Sequence, residues 1–257
     1  MRVLHLFKNY YPPTRGGVEQ WINDISHALD GFDFTVLTAS VDGRLVDEDD
    51  HGVRVVRAPA LIRASTAPVV PSWPRWIREL QPDLVHMHMP NPTQELALAL
   101  SRIDVPIVAH YHADIIRAGP IPAIYDRLGA WFLKRVHRVA VGSPPLAAST
   151  GLFEGVRDRV TIIPYGVDVS AWEKRPPLAE EIRSRYPGPL IVLVGRLVHY
   201  KGVLVAIEAM QHVRDATLLL VGEGPLRDEA RALIERLGVT DRVKLVGEVT
   251  DDERTAY

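Results

Sequence analysis

Short apolar runs alternate along this chain with longer stretches in which apolar residues recur every three or four positions. VLHLF (3–7), FTVLT (34–38), VRVVRA (53–58), DLVHMH (83–88), PIVAHYH (106–112), RVAVGS (138–143) and RVTIIP (159–164) have the length of strands. Their near-continuous Val, Ile and Leu content fits strands covered on both faces. Helical spacing fills residues 18–29 and the ELALALS segment, 95–101. Strands alternating with helices in this way predict βαβ units and a parallel sheet.

The pattern breaks over 172–189, where Pro176, Pro177, Pro187 and Pro189 stand among charges. This reads as a linker carrying a short helix. A second series follows: LIVLVG (190–195), a helix over 202–213, TLLLVG (217–222), a helix over 225–237, and VKLVG (243–247). Three strands are half of a doubly wound sheet. The expectation is an α/β chain of two Rossmann-like domains, 1–171 and 190–257, joined by 172–189, the second incomplete.

Composition narrows the classes. At 47% hydrophobic and 24% charged, the 257 residues can bury a core without covalent staples. A net charge of −2 gives no global attraction to nucleic acid. The absence of cysteine excludes a disulfide framework, a thiolate nucleophile and Cys-ligated zinc. The first apolar run is too short for a signal peptide, and no run approaches the roughly 20 residues of a membrane span. A cytoplasmic protein is expected, with peripheral contact at the inner membrane face as an open addition.

Chemistry concentrates where glycines follow strands, because helix N-termini there present free N–H groups and a positive dipole end. Gly16-Gly17 follows the first strand, Gly195-Arg196 with Lys201-Gly202 another, and Gly222-Glu223-Gly224 a third. Two cations beside a helix N-terminus suit a diphosphate, although two surface cations on a loop would read alike. No Gly-Lys-Ser/Thr makes a Walker A loop, and Gly222-x-Gly224 lacks a third glycine, so a plain tight turn fits it too. His86 and His88 alternate on one strand and His110 and His112 on another, each pair on one sheet face. A metal site is conceivable from four histidines, but no acidic ligand pattern such as HExxH accompanies them. Burial with a satisfied hydrogen bond is the better reading of His86, His88 and His110. His112, ending its strand, points to the ligand side, with Asp114 nearby to orient it. Ser143 lacks the surroundings of a hydrolase nucleophile.

Residues 51–78 hold five arginines and no acid, with Trp73 and Trp76, and 115–138 hold five cations, Trp131 and Phe132 against Asp126. An anionic membrane interface and a solvated basic face both fit this pattern.

Taken in order, FKNYYPPTRGGVEQWI, AHYHADIIRAG, VGSPP, IIPYGVD, VGRLVHYKGV, VGEGP and VKLVGEV resemble the retaining glycosyltransferases called group 1 or family 4, with the GT-B fold. The likeness runs from residue 1 to residue 257, and its phrasing is nearest to bacterial surface-polysaccharide hexosyl- and mannosyltransferases. It implies a nucleoside diphosphate sugar as donor, held mainly by the second domain, and a glycan or lipid-linked acceptor on the first. Arg196 and Lys201 would neutralise the diphosphate as the glycosidic bond breaks, with no metal or other cofactor. Gly16 and Gly17 would let the first helix approach phosphate and sugar, and His112 would hydrogen-bond the sugar, with Asp114 and Asp168 also in the cleft. Glu223 and Gly224 would shape the nucleotide pocket, with Val246 and Gly247 near the base.

The family's pair of glutamates, seven residues apart beyond the VGE strand, has no counterpart here. The resemblance therefore implies a fragment with little turnover alone, and a half-sheet exposing an unpaired edge. Two other readings stay open: a sugar-nucleotide epimerase of the same fold, using carboxylates such as Asp114 and Glu223, and a non-catalytic nucleotide-sugar-binding scaffold. A nicotinamide dehydrogenase is poorly supported, since the first glycine turn lacks GxGxxG.

Overall fold

A computed structural model describes residues 1–14, 16–64, 67–115, 121–167, 169–173, 175–186 and 188–257. The chain divides into two compact units, Met1–Gly166 and Val167–Tyr257.

In chain order the first unit contains β1 (Arg2–Leu6), α1 (Gly17–Ala28), β2 (Asp33–Ala39), β3 (Val46–Asp50), β4 (Val53–Ala58), β5 (Ile62–Ala64) and β6 (Ala67–Val69). It continues with α2 (Trp73–Glu79), β7 (Leu84–Met89), α3 (Pro92–Ser101), β8 (Ile107–Tyr111), α4 (Ile121–Leu133), β9 (Arg138–Val141), α5 (Pro144–Ser149) and β10 (Val160–Ile162). Eight strands form one sheet in the order β10-β9-β8-β7-β1-β2-β4-β3. Every pairing in it is parallel except β3 with β4. Strand alternation sends the two sets of side chains to opposite faces. Leu4, Leu6, Leu37, Val56, Val85, Met87 and Tyr111 pack one way, against Trp73, Ile77, Leu98 and Phe132 of α2, α3 and α4. Val3, Phe7, Phe34, Val36 and Val55 pack the other way, against Ile22 and Trp21 of α1.

β3 was not expected from the sequence, because VDEDD has little strand propensity. It is held by charge: Arg54 of β4 binds Asp47 through two nitrogens at 2.9 and 2.7 Å, and Arg57 donates to Glu48 at 3.1 Å. Arg75 pairs with Glu79 along α2, and Trp73 is buried, its indole N–H donating to the Thr38 carbonyl at 3.4 Å. Three of the arginines in 51–78 are thus neutralised by neighbours, which removes most of the basic surface that the sequence suggested there.

The second unit contains α6 (Ser170–Glu173), α7 (Pro177–Arg185), β11 (Leu190–Val194), α8 (Val203–Ala209), β12 (Thr217–Val221), α9 (Arg227–Arg236), β13 (Val243–Gly247) and α10 (Asp251–Ala256). Its sheet is parallel, in the order β11-β12-β13. Val203, Ile207, Leu218, Leu220, Leu233 and Ile234 fill one face. On the other, Ile182 of α7 is buried with Leu219, Val221 and Ala256, flanked by Leu178, Ala179 and Tyr186. The helix of the proline-rich segment is therefore part of the second unit's core rather than a free linker. Thr250 caps α10 in a reciprocal box with Glu253, which satisfies N–H groups at that end. Among the described residues no helix is long and apolar enough to cross a membrane.

Candidate functional site

Each unit gathers polar groups at the C-terminal ends of its parallel strands, the usual ligand side of such sheets. In the first unit the parallel register pairs His5 of β1 with His86 of β7, and His88 with His110 of β8. Register partners share a face, so these four rings and His112, two residues past His110, stack in one tier. Adjacent centroids lie 4.9 Å apart for His5–His86, 4.5 Å for His86–His88, 5.3 Å for His88–His112 and 4.7 Å for His110–His112. Trp21 of α1 lies edge-on over the tier, 4.6 Å from His110. Tyr165, after β10, stacks on its open end, 5.5 Å from His110 and 5.9 Å from His112.

A line of hydrogen bonds runs through this tier. His5 Nδ1 meets His88 Nε2 at 2.9 Å, His88 Nδ1 meets His112 Nε2 at 3.0 Å, and His112 Nδ1 meets the Tyr165 hydroxyl at 2.6 Å. Burial lowers His5 and His112 to about 3 and His110 to about 4, and the neighbouring rings push His5 and His112 the same way. His86 and His88 are held well below the ordinary value, again chiefly by burial. All five are neutral at pH 7. The expectation of satisfied buried histidines holds for His88, whereas Nε2 of His86 and of His110 has no partner among the described residues. Facing nitrogens of His5, His86 and His88 lie within 4.8 Å of one another, the spacing of a metal triad. His5 and His88, however, spend facing nitrogens on each other. Sequence reading missed His5 and Tyr165. Their signal is the strand register, which a lone histidine in VLHLF does not disclose.

Asp114 does not orient His112 in this structure. Its carboxylate accepts from the Tyr111 hydroxyl at 2.7 Å, and Tyr111 points to the opposite face of the sheet. His112 is instead held by His88 and Tyr165. At the glycine turn, Gly16 caps α1 in an extended conformation and gives α1 no side-chain cap. A Cβ on Gly16 would fall 2.2 Å from the Glu19 carboxylate, so an acid covers that face, while Gly17 has nothing within 4 Å and leaves its backbone open. Gly17 thus has room beside its backbone that Gly16 lacks. Asp168 lies outside the described residues.

In the second unit the glycines pack backbone on backbone. A Cβ on Gly222 would lie 2.2 Å from the Gly195 carbonyl oxygen, and one on Gly224 would lie 2.5 Å from that of Leu197. Gly222 N–H donates to the Gly247 carbonyl at 2.7 Å, and Leu197 N–H donates to that of Glu223 at 2.9 Å. This tie holds the loop after β11 beside the loops after β12 and β13. On it stand Arg196 and Lys201, both exposed, neither in an ion pair among the described residues. Lys201 closes a 3-10 turn (His199–Lys201) rather than opening the helix; Gly202, at φ +68°, separates it from α8. The Lys201 stem passes back beside Gly195, where a Cβ would lie 3.8 Å from its Cε. Glu223 pairs with Arg227 of α9 and lies over Gly247. Val246 is partly buried against the Leu219 and Val221 core.

Comparison with known proteins gives this arrangement its context. The sequence pattern of the family described as Glycosyltransferase Family 4 matches residues 15–171, and that of Glycosyl transferases group 1 matches residues 175–257. The chain is 32% identical over 261 residues to D-rhamnosyltransferase WbpZ of Pseudomonas aeruginosa, covering 100% of this chain and 68% of that protein. It is 28% identical over 260 residues to O-antigen chain mannosyltransferase C of Escherichia coli, covering 99% of this chain and 69% of the relative. Among solved structures, Anabaena Alr3699/HepE in complex with UDP and glucose superimposes with a TM-score of 0.75 at 19% identity, covering 100% of this chain and 72% of the other. Sucrose-phosphate synthase of Thermosynechococcus elongatus gives 0.75 at 18% identity, with 100% and 72% covered.

Proposed function

The chain belongs to the group 1, family 4 glycosyltransferases of the GT-B fold, and from that premise we propose that it serves to move a hexosyl group from a nucleoside diphosphate sugar to a glycan or lipid-linked acceptor, with retention of anomeric configuration and without a metal ion. The observation that carries this reading is the exposed couple Arg196 and Lys201 on the glycine-tied loop after β11, neither in an ion pair among the described residues. As the bond from the sugar to the diphosphate breaks and the bond to the acceptor oxygen forms, negative charge gathers on the departing diphosphate. Two preorganised cations there stabilise that charge more than they stabilise the bound donor, which lowers the barrier. Relatives named for rhamnosyl and mannosyl transfer support a hexosyl donor.

The test uses UDP, GDP and ADP in a thermal-shift series. One nucleotide is expected to raise the melting temperature, since a ligand at 100 times its Kd adds about 2.7 kcal/mol. Arg196→Ala and Lys201→Ala are expected to lose that shift. A shift of equal size in both variants would refute the diphosphate grip. For transfer itself, NMR of the product's anomeric centre checks retention, and activity in excess chelator checks the absence of a metal requirement.

A lipid-linked acceptor also fits the outer face of α4, where Ile124 and Trp131 are exposed and the Arg135 guanidinium sits 3.8 Å above the Trp131 ring. With Arg127 and Lys134 exposed beside them, this face suits an anionic bilayer surface. Flotation with anionic but not neutral liposomes is expected, and loss of flotation in Trp131→Ala; equal flotation with both liposomes counts against it.

A further inference from the structure

At the end of the first sheet opposite its ligand side, a cavity of about 220 Å³ opens where β8 and β9 begin, between the C-terminal ends of α3 and α4. Leu98, Ile107 and Phe132 form its buried wall. Arg102, Arg135 and His137 stand exposed around it, with Asp104 as the acid among its lining residues. The volume is below the roughly 300–1,000 Å³ of a site that encloses a whole small ligand. It suits one small polar group whose remainder lies outside.

The polar groups around the cavity are donors. Arg102 ends α3 at φ +55°, a left-handed conformation that glycine or asparagine adopts at less cost. The chain keeps a long cation where a small residue would close the helix better, and that guanidinium has no hydrogen bond or ion pair among the described residues. Arg135 lies 3.8 Å above the Trp131 ring and donates from Nη1 to the Trp131 carbonyl at 3.0 Å, which leaves its other N–H groups for a ligand. His137 accepts from the Ile107 amide at Nδ1, at 3.1 Å, so Nε2 carries the N–H and is a further donor. The carbonyls that end α3 and α4 disfavour an anion, so an anion has to be held by these side chains.

Outside the cavity, exposed apolar side chains lead to the same cations. Leu96 and Leu100 lie about one turn apart on α3, just before Arg102, and Ile124 and Trp131 lie about two turns apart on α4, one turn before Arg135. Apolar rows that end in arginines have the profile of a contact at a bilayer surface. We propose that this cavity binds the phosphate of an anionic phospholipid through Arg102, Arg135 and His137, with the acyl chains against Leu96, Leu100, Ile124 and Trp131. This builds on the membrane reading of α4 and gives that contact a lipid-specific site, within the first unit and remote from the C-terminal ends of its strands.

Titration calorimetry with dihexanoyl phosphatidylglycerol below its micelle concentration, dihexanoyl phosphatidylcholine and glycerol phosphate tests the cavity. Flotation with phosphatidylcholine vesicles, with and without phosphatidylglycerol, tests the bilayer contact. Arg102→Gly is the informative variant, because glycine suits φ +55° and only the cation is lost. Expected is unchanged or higher stability in urea unfolding, with about tenfold weaker binding of the short-chain phosphatidylglycerol, the factor of one charge-assisted hydrogen bond. Arg135→Gln should lose a similar factor. Undiminished affinity in Arg102→Gly overturns the proposal, as does a wild type that does not bind the short-chain phosphatidylglycerol. Glycerol phosphate bound as tightly as the lipid would make the ligand a soluble phosphate ester, and equal binding of phosphatidylcholine would remove the anion selectivity; either overturns the lipid assignment. A wild type that binds the short-chain lipid but floats with neither vesicle refutes the bilayer reading of α4 and supports the cavity site alone.

Discussion

Glycines that look alike in the sequence have different work in the structure. Gly222 sits at φ +131°, with a Cβ position 2.2 Å from the Gly195 carbonyl. Alanine there meets both backbone strain and a backbone atom that cannot swing aside. Gly222→Ala is expected to destabilise the second unit by at least about 2 kcal/mol, read from urea unfolding. Gly17 is the opposite case: it is helical and faces empty space. Gly17→Ala should stabilise the fold by about 0.5–1 kcal/mol, the ordinary helix gain. If the open backbone of Gly17 serves a ligand, the same variant loses nucleotide-sugar binding while gaining stability. Unchanged binding would reduce Gly17 to a turn residue. The sequence marked both positions as glycine turns but could not rank them, because the atoms that crowd Gly222 come from Gly195, in the loop after another strand.

At the scale of elements, the histidine tier couples three adjacent strands, β1, β7 and β8, to the protonation of the solvent. His5, His110 and His112 have folded values near 3, 4 and 3, and His86 and His88 also lie well below 6.5. In the unfolded chain each binds a proton near pH 6.5. Between the folded and unfolded values the unfolded state holds more protons, so stability rises with pH there and is fully present above about 6.5. Glu95 works the other way. Burial lifts it to about 7 despite bonds from the Asn91 amide and the Tyr125 hydroxyl, so between about 4.5 and 7 its contribution falls as pH rises. Five histidines oppose one carboxylate, and the unfolding free energy should drop steeply as pH falls from 6.5 to 4.5, by more than the ~1.4 kcal/mol per unit that one proton gives. Urea titrations across that range check it; a flat profile would mean that the rings are not held neutral. The period-2 spacing of His86 with His88 and of His110 with His112 made four of the five histidines of this tier legible in the sequence. His5 and Tyr165 were not, because their membership depends on strand register and on where the chain goes after β10. β3 was hidden for a related reason: its acids make sense only opposite Arg54 and Arg57.

Over the whole molecule, the edges of the two sheets are guarded unequally. The eight-stranded sheet ends on one side in β3, whose four acids among five residues repel a like edge, and on the other in β10, only three residues long. The three-stranded sheet ends at β13, which carries Lys244, and at β11, which reads LIVLV with no charge. Among the described residues β11 pairs only with β12, and Ile191 and Val194 are 42% and 45% exposed. The sequence reading expected an unpaired edge on this half-sheet but did not say which strand would form it. A five-residue apolar parallel edge is a template for pairing with another chain, and a lysine on it is the usual deterrent. A polypeptide of these 257 residues alone is therefore expected to self-associate with rising concentration, and Ile191→Lys with Val194→Lys to shift it toward monomer in sedimentation velocity. Because both side chains are already largely exposed, the double variant should change unfolding free energy by no more than about 1 kcal/mol. Matched unfolding curves with an unchanged distribution of species would place the association elsewhere, while a monomeric wild type at high concentration would show that this edge is covered by other means.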